Sequence, residues 1–512
     1  MNKTLIDYLE ENALKYSNNI ALKDYDNEIK YKDLIKNVYK IGTKISNLLY
    51  TKKEIYVNKP IAIYMDRNIK CIEVMLGITC SGNYYTVLDS TSPNERINLI
   101  LDILEPKIII TDDNNLAEIK KIVSGKSIKI YVYEEIVKSK INMELLQKIK
   151  DKTLDINPMF VLFTSGSTGH PKGVVLSHRA IISHGLWMKE AVHINEKSIF
   201  GSHSPLYYII SITELALCVL TGATMCLIPK KLFKFPLKVL EFLKDNDINT
   251  LYWVPSALNV IANLGALDDI DINSINKIIF GGEVMPVKQL NIWKKKFKNA
   301  MFVNVYGSTE DGDISTYYIL NREFNENETI PIGKPCENCE VFIIKDDGTE
   351  VKDDEIGELY VKSPSLANGY YKNMNETNKK FVQNPLNNNY QEIVYKTGDL
   401  AKYNDKKEII YVSRKDFQIK YKGNRVELGE IESSMYNING VLNCACIYDK
   451  LNTRIVAFYS GYISELELNK QLKNKIPIYM IPTEIIKLEV FPFLESGKID
   501  RAKLKNIMEK GI

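Results

Sequence analysis

The chain lacks several features that would assign it to other classes of protein. It has no apolar run of the roughly 18 residues that span a membrane, and its first residues have no apolar core of signal-peptide length. The formal net charge of its 512 residues is only +3, which gives no support for nucleic-acid binding. No internal repeat or low-complexity segment is evident. We therefore expect a cytoplasmic protein that binds neither nucleic acid nor membrane.

Cysteine is also sparse, with eight residues, too few for a disulfide framework. Two closely spaced pairs could be imagined as a zinc site, Cys336 with Cys339 and Cys444 with Cys446. No histidine lies near either pair in the sequence, and Cys444 and Cys446 point to one face of a predicted strand. We predict buried, reduced thiols here and no metal site.

The length predicts more than one domain, because single cores seldom grow this large. Apolar strands alternate with helices, as where a predicted helix over 94–104 separates the runs 84–88 and 107–111. Such alternation predicts α/β layers with parallel sheets. Short strands with Gly and Asp turns over 332–403 predict a β-rich subdomain. We predict a large α/β N-terminal domain, 1–412, and a small α+β C-terminal domain, 413–512.

The most informative stretch is Phe163–Gly173, with the sequence FTSGSTGHPKG. Glycines expose backbone N–H groups, hydroxyls add donors and the lysine adds charge, a combination that suits a polyphosphate. A Walker A loop is excluded, because the lysine comes too late and no Ser or Thr follows it. A Ser/Gly-rich surface linker is the alternative, but linkers seldom end in Pro-Lys-Gly and seldom lie between two apolar strands. The predicted phosphate-binding residues are Thr164, Ser165, Gly166, Ser167, Thr168, Gly169 and Lys172.

Two later strands each end in a polar turn that contains glycine. The run 277–280 leads into Gly281-Gly282-Glu283, and the run 301–305 leads into Tyr306-Gly307-Ser308-Thr309-Glu310. Ligand sites of parallel sheets lie at the carboxyl ends of strands, so we expect these turns to contribute to one site.

Five motifs together resemble the adenylate-forming superfamily. This superfamily includes acyl-CoA synthetases, luciferases, adenylation domains of nonribosomal peptide synthetases and D-alanine–carrier protein ligases. The segment 164–173 resembles its phosphate loop, and 306–310 resembles its YGPTE motif with Ser308 in place of proline. The segments 395–399, 414–432 and 496–501 resemble its YxTGD motif, its hinge block and its closing NGKxDR motif. The last two look closest to stand-alone adenylation domains and D-alanine ligases.

The resemblance implies ATP as a cofactor and a role for each matching residue. Asp399 would accept both ribose hydroxyls, Arg414 would contact the ribose, and Tyr306 would pack on the adenine above Gly281 and Gly282. Taken alone, each such residue would usually be a turn residue, a core residue or a solvated charge. The functional roles are favoured because the motifs occur together and in the order of the family. Beside the phosphate loop, the implied nucleotide-binding residues are Gly281, Gly282, Glu283, Tyr306, Gly307, Asp399 and Arg414.

The resemblance also implies the catalytic residues. Glu310 would hold Mg²⁺, a hard cation that prefers oxygen ligands, and Thr309 would meet the α-phosphate. Lys498 would bridge the substrate carboxylate and the α-phosphate, where charge develops. Asp416 lies where the family has its hinge, so the small domain would be mobile.

The implied reaction has two steps. A carboxylate attacks the α-phosphate of ATP, which gives an acyl-adenylate and pyrophosphate, and a thiol then takes the acyl group. No carrier module follows Arg501, so we expect the phosphopantetheine thiol of a separate carrier protein, with coenzyme A as the alternative. A non-catalytic nucleotide sensor is a second alternative, against which the intact Lys172, Glu310, Asp399 and Lys498 argue.

Alignment on Glu214 and Thr221-Gly-Ala223 predicts the acid pocket. Ile209 falls where amino-acid-activating relatives carry an aspartate for the α-ammonium. An unpaired buried ammonium costs several kcal/mol, so an ordinary α-amino acid, D-alanine included, is disfavoured, and an amino-acid–carrier ligase stays an alternative. The predicted pocket residues are Tyr208, Ile209, Ile210, Thr213, Trp253, Ile279, Gly281, Val305, Asp313 and Ile314.

Two classes of acid fit this apolar pocket with its single carboxylate. An aryl acid would lie against Trp253 and bond a ring hydroxyl or amine to Asp313 or Thr213. A β- or ω-amino acid would place its ammonium on Asp313. The apolar character favours the aryl acid; a plain aliphatic acid would follow if Asp313 pointed away.

Overall fold

The chain forms two compact units. The structure, a computed structural model, describes residues 3–49, 56–166, 171–326, 328–416, 418–493 and 499–510. The first unit comprises Met1–Leu88, Glu105–Leu162 and Gly173–Lys415. The second comprises Asp89–Leu104, Phe163–Lys172 and Asp416–Ile512, so two short early segments are grouped with the C-terminal part of the chain.

The strands of the described residues are, in chain order, β1 Ile20–Lys23, β2 Glu28–Lys30, β3 Pro60–Tyr64, β4 Tyr84–Val87, β5 Ile108–Thr111, β6 Lys129–Val132, β7 Pro158–Thr164, β8 Lys172–Ser177, β9 Ile199–Ser202, β10 Thr224–Leu227, β11 Thr250–Trp253, β12 Lys277–Gly281, β13 Met301–Tyr306, β14 Thr316–Ile319, β15 Lys334–Pro335, β16 Glu340–Ile344, β17 Gly357–Lys362, β18 Phe381–Gln383, β19 Ile393–Tyr403, β20 Ile409–Arg414, β21 Gln418–Tyr421, β22 Asn424–Glu427, β23 Val441–Asp449, β24 Arg454–Gly461 and β25 Glu484–Lys487.

The α-helices of the same residues are α1 Leu5–Lys15, α2 Tyr31–Leu49, α3 Ile69–Cys80, α4 Asn94–Leu104, α5 Leu116–Ile122, α6 Tyr133–Ile136, α7 Met143–Lys150, α8 His178–Ala191, α9 Ile209–Thr221, α10 Pro236–Asp245, α11 Pro255–Asn263, α12 Val287–Lys296, α13 Met374–Lys380, α14 Leu428–Tyr436, α15 Glu465–Leu472 and α16 Arg501–Lys510.

A nine-stranded sheet carries most of the first unit, in the order β15-β14-β13-β12-β11-β9-β10-β1-β2. Its strands β1 and β9–β13 run parallel, and β14, β15 and β2 add antiparallel edges. Strands such as β11 are buried at every residue, as expected where helices cover both faces of a parallel sheet. The carboxyl ends of β11, β12 and β13 therefore meet at one edge, which is where the predicted polar turns begin.

A second sheet has six strands in the order β6-β5-β3-β4-β7-β8. The runs 84–88 and 107–111 are strands β4 and β5, with α4 between them in the chain; both pair in parallel with β3 and not with each other. Helix α8 begins where Ser177 accepts a hydrogen bond from the Ala180 N–H group at 3.2 Å. A side-chain oxygen at this position satisfies one of the free N–H groups of the first turn.

The β-rich subdomain predicted from the short strands over 332–403 is present in the first unit. Strands β16–β20 form an antiparallel five-stranded sheet in which β19 pairs with β17, β18 and β20. The second unit contains a two-stranded sheet, β21-β22, and a three-stranded sheet, β23-β24-β25. Parallel α/β layers, a β-rich part and a small α+β part confirm the predicted fold class.

None of the described helices is both long and apolar enough to cross a membrane. Cys444 and Cys446 are buried in strand β23, as the strand pattern predicts, and Cys336 is buried as well. Among the described residues, no group of three or more His, Cys, Asp and Glu side chains is arranged to hold a metal ion.

Candidate active site

The structure joins two predicted nucleotide-binding side chains to the carboxylate of a third. Asp399 in β19 and Arg414 in β20 are register partners in the antiparallel pair. The Arg414 Nη1 group donates to Asp399 Oδ1 at 2.9 Å, and the Tyr306 hydroxyl donates to Asp399 Oδ2 at 2.5 Å. A carboxylate has about four acceptor sites, so these two donors leave capacity for further hydroxyl groups.

The backbone holds this carboxylate in place from both strands. The Asp399 N–H group donates to Thr397 Oγ1 at 2.9 Å, and Arg414 Nη2 donates to the Thr397 carbonyl at 3.2 Å. Burial and the adjacent Asp399 charge raise the pKa of Tyr306 well above its usual value, so its hydroxyl stays protonated and donates. Its ring also packs in the β-rich core, 6.4 Å from the Tyr411 ring.

Glu310 lies in a short 3₁₀ turn, Thr309–Asp311, which begins three residues after the end of β13. Its carboxylate is fully buried and accepts a hydrogen bond from the Tyr370 hydroxyl at 2.8 Å. Its backbone carbonyl accepts one from the Ala367 N–H group at 2.9 Å. Mg²⁺ is commonly bound through one or two carboxylates together with phosphate oxygens, so the donor set of this turn fits that ion.

The predicted glycines serve close packing. Gly281 and Val305 are register partners, and a Cβ atom at Gly281 would collide with the Val305 carbonyl oxygen. Gly282 has φ = 88°, a left-handed conformation that glycine adopts without strain. Next to it, Glu283 accepts a hydrogen bond from the Ser256 N–H group at 2.9 Å. Glycine is therefore favoured at both positions by the backbone itself, in addition to the predicted close approach of the adenine base.

A Cβ atom at Gly307 would likewise collide with the Asp313 carbonyl oxygen, so this glycine lets the turn after β13 fold back on itself.

The described part of the phosphate loop belongs to the second unit. Strand β7 ends at Thr164, whose hydroxyl donates to the Lys172 carbonyl at 3.4 Å. The Ser165 hydroxyl donates to the Arg425 carbonyl at 2.8 Å. The Gly166 N–H group donates to a carboxylate oxygen of Glu430 at 3.1 Å.

Glu430 also forms a buried ion pair with Arg96. The N–H group predicted to bind phosphate thus already contacts an anion. Ser167, Thr168, Gly169 and Lys498 lie outside the described residues.

Asp416, the predicted hinge residue, is where the chain passes from the first unit into the second. Its carboxylate accepts a hydrogen bond from the Gln418 N–H group at 3.2 Å.

Most apolar members of the predicted acid pocket belong to the core of the first unit. Ile209, Ile279, Val305 and Ile314 are buried in one core cluster, and Ile210 packs against it. Tyr208 precedes α9, and its ring centroid is 5.0 Å from that of Tyr207.

The prediction that Trp253 lines the acid pocket is wrong. Neighbouring residues of a strand point to opposite faces, and Trp253 points away from the pocket residues. Trp253 is fully buried on the other side of β11, where its Nε1 group donates to the Gly201 carbonyl at 2.6 Å and its ring packs against His203. Tyr252 faces the pocket residues instead, and its hydroxyl donates to Asp313 Oδ2 at 3.1 Å. Strand alternation, applied to β11, could have found Tyr252.

Asp313 is the polar centre of this region. It is 6 % exposed, and its Oδ2 atom accepts a hydrogen bond from the Thr213 hydroxyl at 2.6 Å. The His184 Nε2 atom lies 3.9 Å from the same oxygen. The backbone of Asp313 has φ = 114°. His184 carries no recognisable signal in the sequence, since it lies in α8, outside every motif.

Two further carboxyl groups are buried nearby. Burial raises the pKa of Glu214 to about 8. A hydrogen bond with Ser202 and the positive charge of Arg67 partly oppose this rise. Burial also raises the pKa of Asp311 to about 7, although the Ser315 hydroxyl donates to it at 2.6 Å. The negative charge of Asp313 adds to both shifts.

Comparison with known proteins identifies the class. A family model described as AMP-binding enzyme matches residues 9–371. The chain is 32% identical over 455 residues to zwittermicin A synthase ZmaJ of Bacillus cereus, covering 87% of this chain and 84% of that protein. It therefore belongs to the AMP-binding enzyme family, the adenylate-forming superfamily, whose members are ATP-dependent acid–thiol ligases.

Other relatives are longer proteins. The chain is 29% identical over 510 residues to gramicidin S synthase 1 of Brevibacillus brevis; the match covers 98% of this chain but only 44% of that protein.

Solved structures show the same fold. An artificially fused adenylation–PCP di-domain of Klebsiella oxytoca matches with a TM-score of 0.80 and 20% identity over 95% of this chain and 94% of the other. An o-succinylbenzoate CoA synthetase of Bacillus subtilis matches with a TM-score of 0.83 and 19% identity over 99% of both chains.

Proposed function

We propose that the protein activates a carboxylic acid as its acyl-adenylate and transfers the acyl group to the phosphopantetheine thiol of a separate carrier protein. The observation that carries the first half is the arrangement of Tyr306 and Arg414 on Asp399. It presents a fixed, buried carboxylate of the kind that binds two vicinal hydroxyl groups.

In this proposal, the protein's own residues bind and orient the reactants. Asp399 and Arg414 hold the ribose, Tyr306 contacts the adenine, and Thr309 meets the α-phosphate. Mg²⁺ on Glu310 would neutralise phosphate charge when bound. Lys498, carried by a C-terminal domain of residues 413–512, would stabilise the charge that develops when the carboxylate attacks.

No protein nucleophile is required, because catalysis here consists of positioning and charge stabilisation. We propose that rotation at Asp416 withdraws Lys498 before the thiol reacts. The position of Asp416 at the passage between the two units supports this role.

The carrier protein is favoured over coenzyme A as acceptor by the hinge block and by the relatives. One similar structure is an artificially fused adenylation–PCP di-domain of a nonribosomal peptide synthetase. Coenzyme A is the second candidate, since a CoA synthetase also shares the fold.

The acid proposed here is not an ordinary α-amino acid, because Ile209 offers no carboxylate to an α-ammonium. It carries a hydrogen-bonding group away from its carboxylate, for which Asp313, Thr213 and Tyr252 form the polar contact. A hydroxy- or aminobenzoate, the class that the sequence favours, and a β- or ω-amino acid both meet this requirement.

Acid-dependent exchange of pyrophosphate into ATP tests the adenylation step. The panel should contain benzoates, β- and ω-amino acids, aliphatic acids, and D- and L-amino acids. We expect exchange with a subset that excludes ordinary α-amino acids, and absence of exchange with every acid would contradict the proposal. Comparison of coenzyme A with phosphopantetheinylated carrier proteins as acceptors then tests the second step.

A further inference from the structure

A tight turn over 336–339 brings two cysteine thiols together. The Cys339 N–H group donates to the Cys336 carbonyl at 2.8 Å, which closes a four-residue turn after β15. Such a turn holds its first and last Cα atoms within about 7 Å, which overlaps the range of about 4.4–6.8 Å that disulfides span. The two thiols are also hydrogen-bonded to each other. A bond between the two sulfur atoms therefore requires little movement of the backbone.

The two residues between the cysteines fix this turn to its neighbours. Glu337 accepts hydrogen bonds from the Trp187 Nε1 group and from the Tyr317 hydroxyl, each at 2.6 Å. The Asn338 side-chain amide donates to the Ser183 hydroxyl at 3.2 Å. The turn is thus anchored to helix α8 and to strand β14, so the two thiols are oriented toward each other before any reaction.

The two thiols differ in accessibility and acidity. All eight cysteines lie within the described residues, and seven are buried, whereas Cys339 is only partly buried. Its hydrogen bond with Cys336 lowers the pKa of Cys339; burial opposes this shift and Ser363 assists it. Burial raises the pKa of Cys336 well above its usual value. An accessible, more acidic thiol beside a second cysteine is the arrangement that favours oxidation to a disulfide.

A metal site does not account for this pair. Structural zinc sites have four ligands, and among the described residues no group of three or more His, Cys, Asp and Glu side chains is arranged around a common point. Cys444 and Cys446 offer an internal comparison, because both are buried in β23 and burial raises the pKa of each. The pair in the turn differs from them in exactly the properties that oxidation requires.

Cys336 is connected to the turn that carries Glu310. Its N–H group donates to the Ser315 carbonyl at 2.9 Å, and its sulfur lies 3.7 Å from the Ile314 carbonyl oxygen. The Ser315 hydroxyl donates to Asp311 at 2.6 Å. Because Asp311 directly follows Glu310 in the chain, the position of Cys336 bears on that of the proposed metal-binding turn.

Cys339 is connected to the same turn through a second segment. Its thiol donates to the Ser363 hydroxyl oxygen at 3.2 Å. Further along that segment, the Ala367 N–H group donates to the Glu310 carbonyl at 2.9 Å. A disulfide sulfur has no S–H group, so oxidation ends the thiol contacts with Ser363 and with the Ile314 carbonyl. Both segments that adjoin Glu310 would then lose a support.

We propose that Cys336 and Cys339 form a reversible dithiol–disulfide modification site, and that its oxidation weakens the binding of ATP with its metal ion at the Glu310 turn. The modification site itself is independent of the proposed function. Its effect on ATP rests on the role proposed for Glu310.

The oxidant is a peroxide, with hydrogen peroxide as the probe. The Cys339 thiolate attacks one peroxide oxygen, the O–O bond breaks, and the departing hydroxide takes up the proton that the thiol released. The Cys336 sulfur then attacks the Cys339 sulfur of the sulfenic acid. The S–O bond breaks, and hydroxide leaves with the Cys336 proton as a second water. Two thiols lose two electrons in all, which reduce one hydrogen peroxide to two molecules of water. An added dithiol reverses the change by exchange.

Mass spectrometry of the full-length protein locates the modification. We would treat the reduced protein with hydrogen peroxide, block the remaining thiols with iodoacetamide and map the disulfides in its peptides. We expect a disulfide between Cys336 and Cys339 that dithiothreitol removes, while Cys444 and Cys446 are recovered as blocked thiols. A 336–339 pair that stays reduced, or equal oxidation of Cys444 and Cys446, would overturn the proposal.

Serine variants assign the two roles. In Cys336→Ser, peroxide should leave Cys339 as a sulfenic acid that dimedone traps, because the second thiol is missing. In Cys339→Ser, Cys336 should stay unmodified, because it is buried and its thiol is less acidic. Cys446→Ser is the matched control and should still form the 336–339 disulfide. Trapping of Cys336 in Cys339→Ser as readily as of Cys339 in Cys336→Ser would overturn the assignment of Cys339 as the reactive thiol.

Thermal stabilisation by ATP with Mg²⁺ measures the effect on the nucleotide. Oxidation should raise the apparent Kd about 2–10-fold, as expected for the loss of one supporting hydrogen bond, and dithiothreitol should restore it. Cys339→Ser should not respond to peroxide. A complete disulfide that leaves the Kd unchanged would overturn the proposed effect on ATP. Neither measurement needs the acid substrate, so absence of exchange with every acid would refute the proposed function alone.

Discussion

Asp399 and Arg414 face each other across two antiparallel strands, with Arg414 Nη1 2.9 Å from Asp399 Oδ1. The two residues are separated by fourteen others in the chain, and the hairpin between them fixes their geometry. Because β20 ends at Arg414, the same ion pair that orders the proposed ribose site also anchors the last strand before Asp416.

Replacement of Asp399 by Asn should weaken ATP binding. The change keeps the size of the side chain but removes the charge and half of its acceptor oxygens, and hydrogen bonds to charged groups contribute about 1.5–3 kcal/mol. We expect KM for ATP in the exchange assay to rise about 10–100-fold. Tyr306→Phe removes only the hydroxyl that orients the carboxylate and should have a smaller effect. An unchanged KM in Asp399→Asn would contradict the ribose assignment.

Replacement of Lys498 by Ala should abolish adenylation and spare nucleotide binding. The lysine is proposed to act on charge that develops during attack, and removal of one such contact typically lowers kcat about 10²–10³-fold. ATP binding, measured by calorimetry, should change little. Lys503→Ala, an exposed lysine in α16, is the control. Pyrophosphate exchange at the wild-type rate in Lys498→Ala would refute the catalytic role.

Alanine at Gly281 and at Gly282 should destabilise the protein by different amounts. At Gly281 the new Cβ atom meets the Val305 carbonyl, and overpacking of this kind costs about 1–3 kcal/mol. At Gly282 the nearest atom lies 3.7 Å away, so only the strain at φ = 88° remains, about 1 kcal/mol. Urea unfolding midpoints would compare the two variants. A larger loss of stability in Gly282→Ala than in Gly281→Ala would contradict the packing described for Gly281.

Below pH 6.5 the buried His178, His184 and His203 should lower the free energy of unfolding, while the raised pKa values of Glu214 and Asp311 act in the opposite sense. Burial lowers the pKa of His178 to about 4 and those of His184 and His203 to about 3, from 6.5. At these histidines the unfolded chain binds more protons between these values, so their contribution to the free energy of unfolding falls as pH decreases. At pH 5 the loss is about 2 kcal/mol for each histidine.

Urea unfolding at pH 7.5, 6 and 5 measures this slope. His203→Leu removes one titrating group, so the change in unfolding free energy between pH 7.5 and 5 should be about 2 kcal/mol more favourable to folding in the variant than in the wild type. An identical slope in the variant would show that the histidines do not cause the effect.

The sequence predicts the fold class and the linear motifs because both depend on local signals. Alternating apolar runs give strands such as β11–β13, and the turns after β12 and β13 place Gly282 and Glu310 at one sheet edge. The face of β11 depends on register, and a shift of one residue exchanges Tyr252 for Trp253. His184 comes from a helix with no motif, so only the folded chain brings it near Asp313.

The positive φ of Asp313 has a consequence for engineering. At φ = 114° a residue with a Cβ atom is strained by about 1–3 kcal/mol, and glycine would avoid that strain. The backbone at this position therefore favours glycine, while the proposed polar contact with the acid needs the carboxylate. Selection of variants for thermal tolerance alone would tend to discard the residue that discriminates among acids, so any such selection should be coupled to a measurement of substrate preference.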